Sequence, residues 1–163
     1  MIRLKNVQKS YGRFRLDCSL EVKPGCVTGL IGANGAGKST AFKAIMDLIR
    51  LDGGSIEVLG KPWNTLTARD KQEIGVVFPG YAFSGCLTVK QLIPVLAGLY
   101  EKFDRGRFLS YCERFGLPMG QKTKEFSTGM RAKLKLLSVL SYSPRILILD
   151  EPTSGLDVVA RDG

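Results

Sequence analysis

A glycine-rich segment, GANGAGKST, carries the clearest chemical signal in the sequence. From Gly32 to Ser39 it fits the pattern G-x-x-x-x-G-K-[ST]. Glycines at this spacing let the backbone wrap around a polyphosphate, with consecutive N–H groups directed at it. A helix that begins near Gly37 adds the positive end of its dipole, Lys38 can reach the β- and γ-phosphates, and a serine hydroxyl can ligate Mg²⁺. The segment therefore predicts a site for the phosphates of a nucleotide.

Two adjacent acids follow an apolar run near the end of the sequence. In ILILDE, Asp150 and Glu151 come directly after residues 146–149. An aspartate at the end of a buried strand can hold Mg²⁺ through water, and a glutamate beside the γ-phosphate can accept a proton from attacking water or orient it. Alone, the pair fits equally well a strand that ends at the surface with two solvated acids. Beside a phosphate loop, it indicates the chemistry of phosphoryl transfer.

The elements that must position these residues alternate between strands and helices. Residues 2–7 and the alternating stretch 14–22 predict an antiparallel hairpin with one solvated face. The apolar run CVTGLIG, residues 26–32, predicts a strand buried on both faces directly before the phosphate loop. AFKAIMDLIR, residues 41–50, predicts the helix after the loop. Further buried strands are predicted at 74–78 and 145–150.

Three amphipathic helices are predicted between Gly80 and Ser143, in the segments LTVKQLIPVLAGLY, RFLSYCERFGL and STGMRAKLKLLSVLSYS. Pro94 lies inside the first, so we expect a kink or a boundary there. On the third helix, Lys135 is expected to point mostly outward with its neighbouring cations. Before the first helix, Tyr81 and Phe83 indicate either an exposed docking surface or core residues at a domain joint.

Composition limits the class of protein. The 163 residues, 44% of them hydrophobic, are enough for one folded domain. The net charge of +9 fits either a basic soluble protein or one with an anionic partner, which can be nucleotide, nucleic acid or an acidic membrane surface. Four scattered cysteines without a CxxC pair, and the lack of histidine, argue against zinc and for reduced thiols. The charged N-terminus and the short apolar runs argue against a signal peptide and a membrane span.

At these motifs the whole sequence resembles the nucleotide-binding (ATPase) subunit of ABC transporters. GANGAGKST resembles the Walker A loop of that family, and ILILDE resembles its Walker B strand with the catalytic glutamate. SGLD at 154–157 resembles the D-loop, and FSTGM at 126–130 the signature motif. The stretch 126–157 is most similar to ATPase subunits of bacterial multidrug or antimicrobial-peptide exporters. The resemblance implies an α/β fold: a P-loop NTPase (RecA-like) core with an N-terminal antiparallel β subdomain and an α-helical insertion.

The resemblance also implies a division of the chain and several departures from the family. Residues 1–163 would be a single ABC-type ATPase domain, with 1–79 and 144–163 as the core with its antiparallel β part and 80–143 as the helical signature subdomain. Pro79 stands where the family usually has a glutamine that contacts Mg²⁺ and the attacking water. The family's next strand, which carries a histidine near the γ-phosphate, does not occur in this sequence. We therefore expect that C-terminal strands are missing and that this chain alone hydrolyses ATP poorly.

ATP and Mg²⁺ are the cofactors that the resemblance implies. Glu151 and Lys38 would be catalytic, and Ser39 and Asp150 would hold the metal. The resemblance to the Walker A loop implies nucleotide binding at Gly32, Ala33, Asn34, Gly35, Ala36, Gly37, Lys38, Ser39 and Thr40.

Three further residues are implied to contact nucleotide. Tyr11 is placed like the aromatic residue that stacks on adenine, although an ordinary aromatic in a hairpin turn explains it equally well. Ser127 and Gly129 would touch the γ-phosphate bound to the other subunit, whereas a capped amphipathic helix is the simpler interpretation of this segment. Thr128 and Met130 replace the usual glycine and glutamine of the signature, and the threonine methyl would weaken closure without forbidding it.

The implied function is that of the ATP-binding subunit of an exporter. Two such subunits, identical or different, would enclose two ATP molecules and drive an integral membrane permease, on which residues 80–110 would dock. The subunit would lie in the cytoplasm, bound to the inner face of the membrane through the permease, with no nucleic acid as partner. Two alternatives remain: a soluble ABC-type ATPase that acts on nucleic acid or the ribosome, and a truncated nucleotide-binding module without turnover.

Overall fold

The computed structural model describes residues 1–78 and 83–150. The chain divides into two compact units, of which the first is Met1–Lys71 and the second begins at Gln72. None of the helices that these residues form has the length and apolar character needed to cross a bilayer. The division into a nucleotide-binding core and a helical subdomain at residues 80 and 143 stays a prediction.

An antiparallel sheet of four strands lies in the first unit. Its strands lie in the order β2-β1-β3-β4, with bounds β1 Ile2–Tyr11, β2 Phe14–Val22, β3 Gly53–Val58 and β4 Lys61–Pro62. Gly12, with φ of 56°, takes the left-handed conformation in the tight turn between β1 and β2. The predicted hairpin is confirmed, although β1 continues beyond residue 7 to Tyr11. The predicted alternation along β2 is confirmed as well, with Leu16 its most buried residue.

The first long helix, α1 (Lys38–Ile45), follows the phosphate loop and packs Ala41, Ala44 and Ile45 inward. It is shorter than the predicted helix, which extended to residue 50. Asp47 has φ of 55°, and its N–H donates to the carbonyl oxygen of Ala44 at 3.0 Å. Aspartate tolerates this left-handed conformation better than most residues, so the chain turns there although the apolar period continues.

The segment before the phosphate loop does not form the predicted buried strand. Residues 26–33 have no strand partner among the described residues, and the side chains of Val27 and Ile31 are almost fully exposed. A buried strand needs a neighbour on each side to bond its N–H and C=O groups. Because no described strand lies alongside this segment, its apolar character is not matched by burial.

The second unit contains a pair of parallel strands. β5 (Ile74–Val77) and β6 (Ile146–Leu149) pair in register from Ile74 with Ile146 to Val77 with Leu149. Both strands were predicted, but β6 is less buried than expected, since Leu147 is 40% exposed while Ile148 is 4% exposed. The short helix α2 (Ala68–Gln72) precedes β5 in the chain.

The three predicted helices of the second unit are present as α3 (Val89–Leu99), α4 (Arg105–Arg114) and α5 (Thr128–Leu140). The prediction of a boundary at Pro94 is wrong, because α3 continues through it. Thr88 starts α3 with a capping box, in which its hydroxyl accepts from the N–H of Gln91 and the side chain of Gln91 accepts from the N–H of Thr88. This cap and four buried apolar residues stabilise α3 although proline removes one backbone donor.

The core of the second unit lies between these helices. Phe108 and Cys112 are completely buried there, and burial raises the pKa of the Cys112 thiol to about 11, so that it stays protonated at neutral pH. Phe83 is partly buried against this core. Its interpretation as a core residue is therefore favoured over an exposed aromatic, whereas Tyr81 lies outside the described residues.

Candidate nucleotide-phosphate site

The phosphate loop is a tight turn that leads into α1. The N–H of Ala36 donates to the carbonyl oxygen of Ala33 at 3.1 Å. Gly35 and Gly37 have φ of 83° and 94°, a region that a residue with a side chain rarely adopts. Residues 32–36 are exposed, so their backbone groups are accessible to a ligand. The turn thus has the left-handed backbone that only glycine adopts readily at Gly37, where the motif requires glycine, and at Gly35.

Lys38 folds back over this loop. Its Nζ donates to the carbonyl oxygen of Gly32 at 2.6 Å and to that of Ala33 at 2.9 Å. These contacts hold the ammonium group against the same turn that the motif assigns to the phosphates. Hydrogen bonds between an ammonium group and a phosphate oxygen are stronger than those to a neutral carbonyl. The Nζ hydrogens are therefore positioned to donate to an anion in the loop in place of the carbonyl oxygens.

The first turn of α1 presents further donors. Gly37 is its N-cap and has no side chain to cap it, while the N–H of Ala41 donates to the carbonyl oxygen of Gly37 at 2.8 Å. The N–H groups of Lys38, Ser39 and Thr40 precede the first residue with an intrahelical partner. Such groups at the positive end of a helix bind anions, and the exposed Ser39 lies among them. These residues fit a polyphosphate.

Tyr11 lies at the end of β1 in the same unit as the loop. Its side chain is 49% exposed. The ring of Phe14 lies beside it, with centroids 6.5 Å apart and an interplanar angle of 21°, and Nζ of Lys9 lies 5.2 Å from the Tyr11 centroid. An exposed, supported ring can stack on a base. The contact with adenine stays a prediction, and so does the alternative of an ordinary hairpin aromatic.

The signature segment begins α5 in the second unit. The Oγ of Ser127 accepts a hydrogen bond from the N–H of Met130 at 3.1 Å, and the N–H of Arg131 donates to the carbonyl oxygen of Ser127 at 3.0 Å. The prediction that Ser127 caps this helix is confirmed. Gly129 lies in the first turn of the helix, where backbone N–H groups have no carbonyl partner within the helix. Contact of Ser127 and Gly129 with a second subunit's nucleotide stays a prediction.

Loss of this cap gives a measurable effect on stability. We expect Ser127→Ala to lower the free energy of unfolding by about 1 kcal/mol, because the N–H of Met130 loses its acceptor. Urea unfolding followed by circular dichroism measures this change. Ser110→Ala, at an exposed position within α4, is the matched control and should stay within about 0.5 kcal/mol of wild type. Equal stabilities of the two variants would contradict the capping role.

Asp150 follows β6 directly. Its N–H donates to the carbonyl oxygen of Val77 at 3.0 Å, which extends the parallel ladder by one bond. Asp150 therefore lies at the carboxyl end of a parallel strand pair, the edge at which open α/β sheets bind ligands. Glu151 and Pro79 both lie outside the described residues. The roles of these three residues remain predictions.

Two features were not anticipated from the sequence. The prediction that Lys135 points outward is wrong: its Nζ donates to the carbonyl oxygen of Phe78 at 3.3 Å, and burial, followed by the charge of Arg131, lowers the pKa of Lys135. In the first unit, Phe14 and Leu16 lie directly against Gly37 of the phosphate loop. The alternation along β2 placed these two residues on the inner face, but it did not indicate what they contact.

Comparison with known proteins identifies the family. A family model described as "ABC transporter" matches residues 16–154, from within β2 to the segment after β6. The chain belongs to the ABC transporter family. This ABC transporter chain is similar to the ABC transporter ATP-binding protein YtrB of Bacillus subtilis, with 33% identity over 99% of the chain and 56% of YtrB. It therefore spans about half the length of this relative.

Other relatives in the ABC transporter family carry export names. The chain is 34% identical to the lantibiotic transport ATP-binding protein SrtF of Streptococcus pyogenes, over 98% of the chain and 69% of SrtF. It is also 34% identical to the probable multidrug ABC transporter ATP-binding protein YbhF of Escherichia coli, over 99% of the chain and 29% of YbhF. The predicted resemblance to ATP-binding proteins of this family, including multidrug and antimicrobial-peptide relatives, is confirmed.

The fold of the ABC transporter family is also confirmed. The dimeric structure of MJ0796, a bacterial ABC transporter cassette, superimposes with a TM-score of 0.83 at 25% identity, over 99% of this chain and 78% of that one. MJ0796 in a post-hydrolysis state bound to ADP and Pi gives a TM-score of 0.82. The predicted α/β fold of the P-loop NTPase class, with its antiparallel N-terminal sheet, is correct.

Proposed function

We propose that this chain is the ATP-binding part of an ABC transporter ATPase that couples ATP binding and hydrolysis to export. The observation that carries the proposal is the geometry of the phosphate loop. The Nζ of Lys38 donates to the loop carbonyl oxygens, and the helix that begins at Lys38 has no side-chain cap. The names of YbhF and SrtF support export over the alternatives of a nucleic-acid or ribosome ATPase and of a binding module without turnover.

The proposed chemistry is transfer of the γ-phosphoryl group of ATP to water. Catalysis of this reaction depends mainly on positioning and on compensation of negative charge. Lys38 would hold the β- and γ-phosphates, and Ser39 and Asp150 would hold a Mg²⁺ ion that neutralises charge on them. Glu151 would accept the proton of the attacking water. Tyr11 would support the adenine ring.

A second ATPase subunit is the first proposed partner. The positive end of α5 at Ser127 and Gly129 would face a γ-phosphate held by the other subunit. The structure of MJ0796 supports this proposal, because that cassette has a similar fold and forms a dimer. Whether the two subunits of this protein are identical or different does not alter the proposed contact.

An integral membrane permease is the second proposed partner, and it would hold the protein on the cytoplasmic face of the membrane. We propose that it docks on residues 80–110. Within the second unit, a largely apolar cavity of about 200 Å³ lies between β5, α3 and α5, with Phe83, Tyr100 and Lys135 among its lining residues. An apolar cavity with one cation fits an amphipathic segment of a partner protein.

ATP binding tests the central proposal. In isothermal titration calorimetry with Mg²⁺, we expect the purified protein to bind ATP and ADP much more tightly than AMP, because the loop and Lys38 would hold the β-phosphate that AMP lacks. GTP in a parallel titration measures selectivity for the base. Absence of ATP binding, or equal affinity for AMP and ATP, would contradict the assignment of the phosphate loop.

Two exposed cysteines provide a matched test of docking. Cys86 lies in the proposed docking segment and Cys26 lies outside it, and both are exposed. We expect a thiol-specific crosslinker on Cys86, in a Cys26→Ser background, to join the full-length protein to a multi-span membrane protein in its native membrane. The same reagent on Cys26, in a Cys86→Ser background, should not. Equal crosslinking from both positions, or none from Cys86, would count against docking at residues 80–110.

A further inference from the structure

Gly37 joins the phosphate loop to the inner face of β2. It is buried, whereas residues 32–36 of the loop are exposed. A Cβ atom at Gly37 would lie 3.0 Å from Cδ1 of Leu16 and 3.0 Å from Cζ of Phe14. Real Cβ atoms rarely come so close to other heavy atoms, so the two strand residues lie directly on the backbone of the loop. This contact holds the loop from its inner side.

The two strand residues differ in their other contacts. Phe14 also lies beside Tyr11, with ring centroids 6.5 Å apart. Leu16 is 7% exposed and pairs across the hairpin with Lys9. A substitution of Phe14 would therefore disturb the ring of Tyr11 as well as Gly37, whereas Leu16 offers a way to change the loop contact alone.

We propose that Leu16 and Phe14 are positioning residues that hold the phosphate loop in its ligand-binding conformation. The proposal rests on the proposed nucleotide binding. Gly37 has its left-handed φ of 94° immediately before the uncapped first turn of α1. Any shift of this residue changes the directions of the N–H groups of Lys38 and Ser39, since they follow it in the chain. Packing against β2 restricts such shifts, so part of the phosphate affinity originates in a strand that does not touch phosphate.

Leu16→Ala tests this proposal, with Leu20→Ala as the matched control. Leu20 lies on the same face of the same strand, and its side chain is not among the atoms nearest to Gly37. We expect Leu16→Ala to weaken ADP binding about tenfold, which corresponds to about 1.4 kcal/mol. AMP affinity should change less than about twofold, because AMP lacks the phosphate that the loop would hold. Leu20→Ala should leave both affinities at wild-type values, although it also removes a leucine side chain.

Hydrogen exchange gives a second measurement that does not need a ligand. In the full chain without nucleotide, Leu16→Ala should accelerate exchange of the amides of Ala36 and Ala41, which donate to the carbonyl oxygens of Ala33 and Gly37, and leave those of β1 at 2–4 unchanged. If Leu16→Ala fails to fold, the smaller substitution Leu16→Val takes its place in both measurements. Unchanged exchange of Ala36 and Ala41 with unchanged ADP affinity would overturn the proposal. A wild-type protein that binds no ADP would instead contradict the proposed function, while the exchange measurement would still test the contact.

Discussion

Replacing Lys38 with alanine is expected to abolish measurable ATP binding. In the structure its Nζ lies 2.6 Å from the carbonyl oxygen of Gly32 and 2.9 Å from that of Ala33, within the loop that would hold the phosphates. Loss of one partner from a desolvated charge pair costs about 2–5 kcal/mol, which corresponds to a Kd raised about 30-fold to 4,000-fold. Calorimetric titration with Mg²⁺ and ATP measures the change.

The control for this substitution lies on the same helix. Lys43→Ala removes an exposed lysine from the last turn of α1 and should leave the ATP affinity within about twofold. Both variants should unfold at similar urea concentrations, since neither residue belongs to the core. An unchanged ATP affinity in Lys38→Ala would refute the assignment of the phosphate loop.

Glu151→Gln in the full-length subunit is expected to keep ATP binding and to lose hydrolysis. An amide has nearly the shape of a carboxylate, but it cannot accept the proton of the attacking water. General-base catalysis contributes about 10²- to 10⁴-fold to a rate, so kcat should fall by that factor. Because bound ATP is no longer consumed, the variant should also accumulate as a closed dimer, which size-exclusion chromatography with ATP would detect.

Glu113→Gln is the control for this variant. Glu113 is an exposed residue of α4, and its neutralisation should leave kcat unchanged. If Glu151→Gln hydrolysed ATP at a rate close to that of wild type, Glu151 would not be the base. If it lost ATP binding too, the substitution would have disturbed the site rather than the proton transfer alone.

Local patterns predicted most elements of this chain. Helical spacing located α3 to α5, and Ser127 was identified as a cap from residue type and position alone. The prediction for residues 26–32 was wrong because burial of a strand depends on which strands lie beside it, and an apolar run does not contain that information. The predicted end of α1 was wrong for a local reason. The backbone conformation of one residue, Asp47, ends the helix although the apolar pattern continues.

The candidate site was also predicted only in part. The phosphate loop was recognised because its chemistry depends on residues that are adjacent in sequence, from Gly32 to Ser39. The contact of Leu16 with Gly37 was not predicted, because these residues are far apart in sequence and come together only in the fold. The inward position of Lys135 was missed similarly, since its partner is the carbonyl oxygen of Phe78 on another element.

The engagement of Lys38 with its own loop has a consequence for ligand selection. The ammonium group already has two acceptors, the carbonyl oxygens of Gly32 and Ala33, so binding exchanges one set of hydrogen bonds for another. Only the difference between the two sets contributes to affinity. The exchange increases the affinity of a ligand only if the oxygens of that ligand carry more negative charge than a peptide carbonyl oxygen. An anion therefore displaces the two carbonyl oxygens only if it binds the ammonium group more strongly than they do. In the presence of neutral or weakly polar molecules, Lys38 keeps its hydrogen bonds to Gly32 and Ala33.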